Sequence, residues 1–228
     1  RLSPLELTSL AGHLIKQIAI KVSETFGYAR LIDLVWDSTV KVNGMKQLPV
    51  LIVIDVQDGF LDPAWGNSTN PKCEVNIKLL LNLWRAKEAP IVLVRHDSVS
   101  PNSKLSPNSP GNALQSRVLG KHDLLISKSV NSAFYGTPDL HEWLKANDYR
   151  DVVICGITTN HCCETTARMA GNLGYEVTFV LDATRAYDMT DVNGKVISAD
   201  EVMRMTGANL DVEFATVVDT KYVLERFA

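Results

Sequence analysis

Three residues in this chain could together carry nucleophilic chemistry: Asp55, Lys128 and Cys162. Cys162 lies in Cys155-Gly-Ile-Thr-Thr-Asn-His-Cys-Cys-Glu-Thr-Thr-Ala-Arg168, directly after the apolar run Asp151–Cys155 and at the head of an amphipathic stretch reaching Leu173. A thiol there stands on the first turn of a helix, where backbone N–H groups are unpaired and the helix dipole is positive. Both features favour the thiolate, which is the nucleophilic form. The plainer alternative is a small buried core residue, as most free cysteines are. Asp55 ends the first apolar run and Lys128 follows the third. If those runs are parallel strands, the three side chains converge on one edge of the sheet. An acid/base, a cation and a nucleophile are the parts needed for acyl transfer through a covalent thioester. Each also has a plainer role: Asp55 as a loop acid or helix cap, Lys128 as a solvated surface residue.

The elements that would position these residues alternate along the chain. Strand-like apolar runs occupy Leu48–Asp55, Pro90–His96, Asp123–Ser127, Asp151–Cys155, Tyr175–Leu181 and Ala215–Asp219. Such runs suit a parallel sheet covered on both faces. Helical spacing appears over Val75–Lys87, Pro138–Asn147, Cys162–Leu173 and Ala199–Leu210. The alternation predicts an α/β fold: a doubly wound, mainly parallel six-stranded sheet with helices on both faces, Rossmann-like in plan. Ligands collect at the carboxyl ends of the strands in such sheets, near the switch in strand order. The loop Asp97–Gly120 is rich in Ser, Asn, Pro and Gly; a lid or binding loop and a mobile surface connection both fit it. A second polar loop, Asp62–Pro71, holds Trp65 and Asn67. A third, Tyr187–Ile197, carries the turn signal Asp191-Val-Asn-Gly194.

Composition excludes several classes of function. The 228 residues carry a formal net charge of −3, 46% hydrophobic residues and no Lys/Arg-rich run. Nothing there suggests nucleic acid or an anionic membrane surface. The longest apolar runs fall far short of the ~20 residues a bilayer-spanning helix needs. The four cysteines, Cys73, Cys155, Cys162 and Cys163, show no CxxC pair and no metal-type spacing. A reducing, cytoplasmic setting is therefore expected. No His-x-x-x-His pair and no glycine-rich phosphate loop occurs, so neither zinc nor a nucleotide cofactor is indicated.

Residues 1–44 differ from the rest. Leu5–Phe26 has helical spacing, which then fades, and Met45 directly precedes the first strand. Residues 1–44 are expected to be an N-terminal extension, helical or tag-like, ahead of a catalytic domain over 45–228. A helix packing on the domain or on a partner subunit is the alternative.

The ordered set Leu51-Ile-Val-Ile-Asp-Val-Gln-Asp-Gly-Phe60, Ser127-Lys-Ser-Val-Asn-Ser-Ala-Phe134, Cys155 to Arg168 and Glu176-Val-Thr-Phe-Val-Leu-Asp-Ala183 resembles the isochorismatase-like cysteine hydrolases, which include nicotinamidases and related amidases. The resemblance covers roughly residues 45–223. It implies Asp55 as general base, Lys128 as charge stabiliser and Cys162 as nucleophile. It also implies a cis peptide at Ile157–Thr158, which would turn the Thr158 N–H beside that of Cys162 as an oxyanion hole. Phe60 matches an aromatic that packs on substrate, and Gln57 reads as structural support. Further pocket candidates are Trp65, His96, Phe134, Tyr135, Asn160 and His161. Nicotinamidases carry an Asp-x-His…His metal site, and no histidine stands between Asp55 and Arg95 here. The variant is closer to a metal-independent, streptothricin hydrolase-like branch, with no metal and no cofactor.

The expected reaction is hydrolysis of a C–N bond in a small carboxamide, imide or lactam. The expected partners are that substrate and further copies of the chain in a homo-oligomer. Two rivals stand beside it: isochorismatase-type ether hydrolysis, which would leave Cys162 idle, and thiol-redox or ligand-binding chemistry without turnover, since an activated thiol is also oxidisable. Cys163 follows Cys162 on the helix and is expected to point away from it, into the core.

Overall fold

A computed structural model of the chain describes residues 48–228. The expected helix over Leu5–Phe26 and the extension ahead of Met45 lie outside the described residues.

Six strands form one sheet: β1 (Val50–Ile54), β2 (Ile91–His96), β3 (Leu124–Lys128), β4 (Asp151–Ile157), β5 (Glu176–Arg185) and β8 (Thr216–Val218). Their order is β3-β2-β1-β4-β5-β8, and every neighbouring pair is parallel. Strand order reverses between β1 and β4. That is the switch point at which crossover connections diverge and leave a crevice. A two-stranded antiparallel ribbon, β6 (Met189–Thr190) with β7 (Val196–Ile197), surrounds the expected turn at Asp191–Gly194.

Alternating side chains of the central strands divide between two layers. Leu51 and Val53 pack with α1 (Cys73–Ala86) and α5 (Thr220–Phe227), through Ile77, Leu80, Leu81, Trp84 and Val223. Val50, Ile52 and Ile54 face α2 (Leu140–Ala146), α3 (Glu164–Asn172) and α4 (Ala199–Asp211), through Leu140, Leu144, Ala167, Ala170 and Leu210. β1 is buried on both sides, which is why it reads as one continuous apolar run. Truncating one of these core leucines to alanine is worth roughly 2–5 kcal/mol. Trp84 is fully buried, and its indole N–H donates to Pro49 O at 2.7 Å. Side chains mark where helices begin: Asp139 caps α2, Asp219 caps α5, and Ser198 with Glu201 forms a capping box on α4.

Several boundaries differ from the sequence expectation. β4 runs two residues beyond Cys155, and β5 four beyond Leu181. Across a register shift, Gly156 pairs with Thr184 and Ile157 with Arg185. Gly156 lies within β4. Its φ is 135°, and a Cβ there would stand 2.1 Å from Ile54 O. Only glycine lets β4 approach β1 so closely at the switch point. Helix α3 starts at Glu164, later than expected, because a π-type turn over Thr159–Cys163 precedes it. The C-terminal helix α5 and the β6–β7 ribbon were not among the expected elements.

The loop after β2 is tied down by polar contacts. The Asn112 amide donates to His96 O, Asp97 Oδ1 and Leu105 O. Lys104 pairs with Asp62 at 2.8 Å. Among the described residues all four cysteines are free thiols, and no helix is long and apolar enough to cross a membrane.

Candidate active site

Asp55 is the first residue past β1. Its φ of 51° is left-handed, a conformation Asp tolerates better than most side chains. Its N–H still bonds Val94 O at 2.9 Å, so the chain turns while held against β2. Lys128 is the last residue of β3, two strands away and in register with His96 of β2. At ~4.8 Å per strand, the Lys128 side chain must cross the end of β2 to reach β1. It does so: Nζ donates to Asp55 Oδ2 at 2.5 Å and to Cys162 Sγ at 3.3 Å, and it stands 3.1 Å from His96 Nδ1. The structure thus brings Asp55, Lys128, Cys162 and His96 to one point at the carboxyl edge of the sheet.

Cys162 sits in the π-type turn between β4 and α3. Cys163 N–H reaches back to Thr158 O at 3.2 Å, and Glu164 N–H to Thr159 O. Turns of this kind recur at functional sites because they displace one residue from the helical register. The peptide bond Ile157–Thr158 is cis. Cys163 is wholly buried in the core. Cys162 keeps a small exposed face, and its Sγ stands 3.8 Å from Asn131 Oδ1.

The electrostatics follow from burial. Both members of the Asp55–Lys128 pair are withdrawn from solvent. Burial pushes the Asp55 pKa up, and the Lys128 cation opposes that rise. Burial works against the Lys128 cation, but Asp55 and Cys162 more than offset it, so the ammonium holds its proton above the usual lysine range. For Cys162 the outcome reverses the expectation from its place ahead of a helix. Burial first, and then the Asp55 charge, push the thiol up to about 12, with Lys128 only partly compensating. The resting sulfur is a thiol. Burial and the Lys128 charge lower the His96 pKa, so its ring is neutral near pH 7.

One buried atom here lacks a partner: Asp55 Oδ1 accepts no hydrogen bond. An orphaned buried carboxylate oxygen is costly, and a catalytic role is one of the reasons for which such an atom is kept. A carboxylate oxygen of Asp55, a ring nitrogen of His96 and Cys162 Sγ all lie within 4.8 Å of one another. Those three donors do not fit a metal, because the Lys128 ammonium already stands among them where a cation would go.

The other candidates fall into distinct places. Phe60 and Trp65 come together, ring centres 5.0 Å apart, joined by Tyr187 at 5.3 Å from Trp65. The Trp65 indole N–H donates to Gly59 O, and the Tyr187 hydroxyl donates to Phe60 O. Phe134 packs elsewhere: its ring stacks on Tyr175, which directly precedes β5, toward the amino ends of the strands. Tyr135 is 68% exposed. His161 is exposed and lies 3.0 Å from Thr158 Oγ1, whereas Asn160 donates to Met189 Sδ. Gln57 is structural: its amide accepts from His96 N and donates to His96 O and Asn112 O, clamping the end of β2.

Sequence reasoning missed Tyr187 and Asn131. Tyr187 follows the true end of β5, as Asp55 follows β1; reading β5 as ending at Leu181 hid it. Asn131 lies within the segment Ser127–Phe134 that carries Lys128, and that proximity was the available signal. Beneath Tyr187, Arg185 forms a buried bidentate pair with Glu74, at 2.6 and 2.7 Å.

Comparison with known proteins agrees with this geometry. The isochorismatase domain family matches residues 49–208. The isochorismatase family protein YrdC of Bacillus subtilis is 40% identical over 184 residues, covering 80% of this chain and 98% of that protein. A streptothricin hydrolase of Streptomyces noursei is 29% identical over 140 residues, 61% of this chain and 50% of that one. Among solved structures, an isochorismatase-family protein from Chromobacterium violaceum superposes with a TM-score of 0.75 at 38% identity, covering 82% of this chain and 98% of its own. A cysteine hydrolase from Pseudomonas syringae pv. phaseolicola gives a TM-score of 0.72 at 27% identity, covering 81% and 95%. The fold with its switch-point crevice, the Asp55–Lys128–Cys162 cluster and the family match reach one conclusion: the chain belongs to the isochorismatase family of hydrolases.

Proposed function

We propose that this hydrolase cleaves the C–N bond of a small carboxamide, imide or lactam through a thioester on Cys162. The observation that carries the reading is the division of labour at Asp55. Oδ2 is held by Lys128 at 2.5 Å, while the buried Oδ1 has no partner and so can accept a proton. The nearby sulfur holds its proton at rest and must lose it to attack a carbonyl.

Asp55 takes the Cys162 proton as the sulfur attacks the carbonyl carbon. Lys128 stays charged and balances the negative charge that moves between carboxylate and sulfur. The backbone N–H groups of Thr158 and Cys162 receive the oxyanion. Protonated Asp55 then donates to the departing nitrogen, and the C–N bond breaks to leave the thioester. Water next attacks the thioester with Asp55 again as base. The C–S bond breaks, releasing the acid, and the sulfur recovers its proton. Phe60, Trp65 and Tyr187 offer ring faces suited to a flat or apolar acyl group. The names of two relatives, a streptothricin hydrolase and a cysteine hydrolase, support this class of chemistry.

Ammonia release from a panel of primary amides, with ring opening of lactams and imides, tests the reading. Wild type is expected to turn over at least one member, and Cys162→Ala and Asp55→Asn none. Turnover retained in Cys162→Ala but lost in Asp55→Asn would point to ether-type hydrolysis. Stoichiometric sulfenic acid formation on Cys162 when hydrogen peroxide is added, with the peroxide reduced to water and no amide hydrolysed, would point to thiol-redox chemistry.

A further inference from the structure

The Lys128 ammonium has three N–H donors, and it meets three acceptors: Asp55 Oδ2 at 2.5 Å, His96 Nδ1 at 3.1 Å and Cys162 Sγ at 3.3 Å. An ammonium can only donate, so His96 Nδ1 is the bare nitrogen and the ring proton sits on Nε2. A fourth acceptor stands beside these three, because the second oxygen of the same carboxylate, Asp55 Oδ1, is buried and unpartnered. Nζ bonds one of the two carboxylate oxygens, and its third N–H goes to the imidazole instead of to Oδ1.

From this arrangement we infer that His96 is a positioning residue: its Nδ1 saturates the Lys128 ammonium, which keeps Lys128 on the Cys162 sulfur and off the second oxygen of Asp55. The backbone is built to hold the ring there. His96 N donates to Gln57 Oε1, and His96 O accepts from both Gln57 Nε2 and Asn112 Nδ2. The strand register His96↔Lys128 sets the two side chains level. The charged and titratable groups around the ring are Asp55 beyond β1, Lys128 of β3, Cys162 beyond β4, and Asp97, the next residue along, which Arg95 holds at 2.8 Å. Without the imidazole, Lys128 would turn to chelate both oxygens of Asp55. That movement would occupy the proton acceptor and surrender the sulfur contact, the longest of the three.

The inference rests on the proposed function for its meaning in catalysis, but its test does not need turnover. The probe is iodoacetamide, with the second-order rate of Cys162 alkylation at fixed neutral pH followed by peptide mass mapping. The other three cysteines are fully buried. His96→Leu removes the acceptor and is expected to slow alkylation by about tenfold, the worth of one charge-assisted hydrogen bond. His96→Asn puts an amide oxygen near the Nδ1 position and is expected to restore most of the rate. His96→Gln, whose amide lies one bond further out, is expected to behave like His96→Leu and stands in for it should that variant not fold. A wild-type rate in the variants lacking the acceptor would overturn the inference, and so would His96→Asn being as slow as they are. If the alkylation pattern holds while no amide is hydrolysed, the proposed function fails and the positioning role of His96 stands.

Discussion

Lys128 and Asp55, which end strands two apart in the sheet, meet as a fully buried pair with Nζ 2.5 Å from Oδ2. The contact passes over the end of β2, where Gln57 and Asn112 fix the backbone of His96. The geometry of this pair is therefore set by the register of three strands and by one left-handed residue.

Breaking this pair leaves a buried charge. Lys128→Met is expected to abolish turnover and to cost about 3–5 kcal/mol of stability, because Asp55, withdrawn from solvent, loses its counter-charge. The double variant Asp55→Asn/Lys128→Met is expected to recover much of that stability and none of the activity. Urea denaturation with parallel activity assays checks both. A double variant as unstable as the single would show that the charge pair is not the source of the loss.

Asp55 raises the Cys162 pKa, and Lys128 lowers it. Asp55→Asn is therefore expected to remove activity while making the thiol more acidic. The pH midpoint of iodoacetamide alkylation is expected to lie lower in this variant than in the wild type. A dead variant with an unmoved midpoint would contradict the placement of Asp55 beside the sulfur.

The pH–rate profile carries a defined sign. Asp55 must be ionised to accept the thiol proton, and burial places its pKa above the ordinary carboxylate value of 3.8. The acid limb of kcat/KM is expected above that value, and the alkaline limb above the ordinary lysine value of 10.5, where Lys128 would lose its proton. Stability runs in the matching direction. Both folded pKa values are raised, so the folded state binds these protons more tightly than the unfolded chain. The stability tied to each is complete below its unfolded pKa and is lost as pH rises through its folded one.

Gly156→Ala is expected to destabilise the fold by more than ~1 kcal/mol and to impair activity together with stability. The new methyl would meet the Ile54 carbonyl at the point where β4 passes β1. Thermal unfolding of the purified variant measures this. A wild-type transition would mean that the two strands can part at small cost.

The strands were legible because β1 and its neighbours are buried on both faces, which leaves uninterrupted apolar runs such as Val50–Ile54. The convergence of Asp55, Lys128 and Cys162 was legible for the same reason: parallel strands bring their carboxyl ends to one edge. β5 was read short because Asp182, Thr184 and Arg185 are polar. Their partners, Gly156 and Ile157 for the strand and Glu74 for the guanidinium, are remote in sequence. Tyr187 was lost with that strand end. The eight-residue helix α5 is too short for strong periodicity, although its Asp219 cap was present as a signal. The state of the Cys162 proton could not be read from the chain. Position ahead of a helix argued for the thiolate, but burial and the Asp55 charge, which decide it, belong to the tertiary structure. The hold of His96 on Lys128 likewise depends on strand register.

The central claim is a thioester on Cys162, and intact mass spectrometry tests it most directly. Wild-type protein and Cys162→Ala are each incubated with primary amides, lactams and a peptide-like aldehyde, then quenched in acid. The account predicts an adduct of acyl or hemithioacetal mass on the wild type alone, mapped to the peptide containing Cys162. An adduct of the same mass on Cys162→Ala, or hydrolysis by that variant at the wild-type rate, would contradict it.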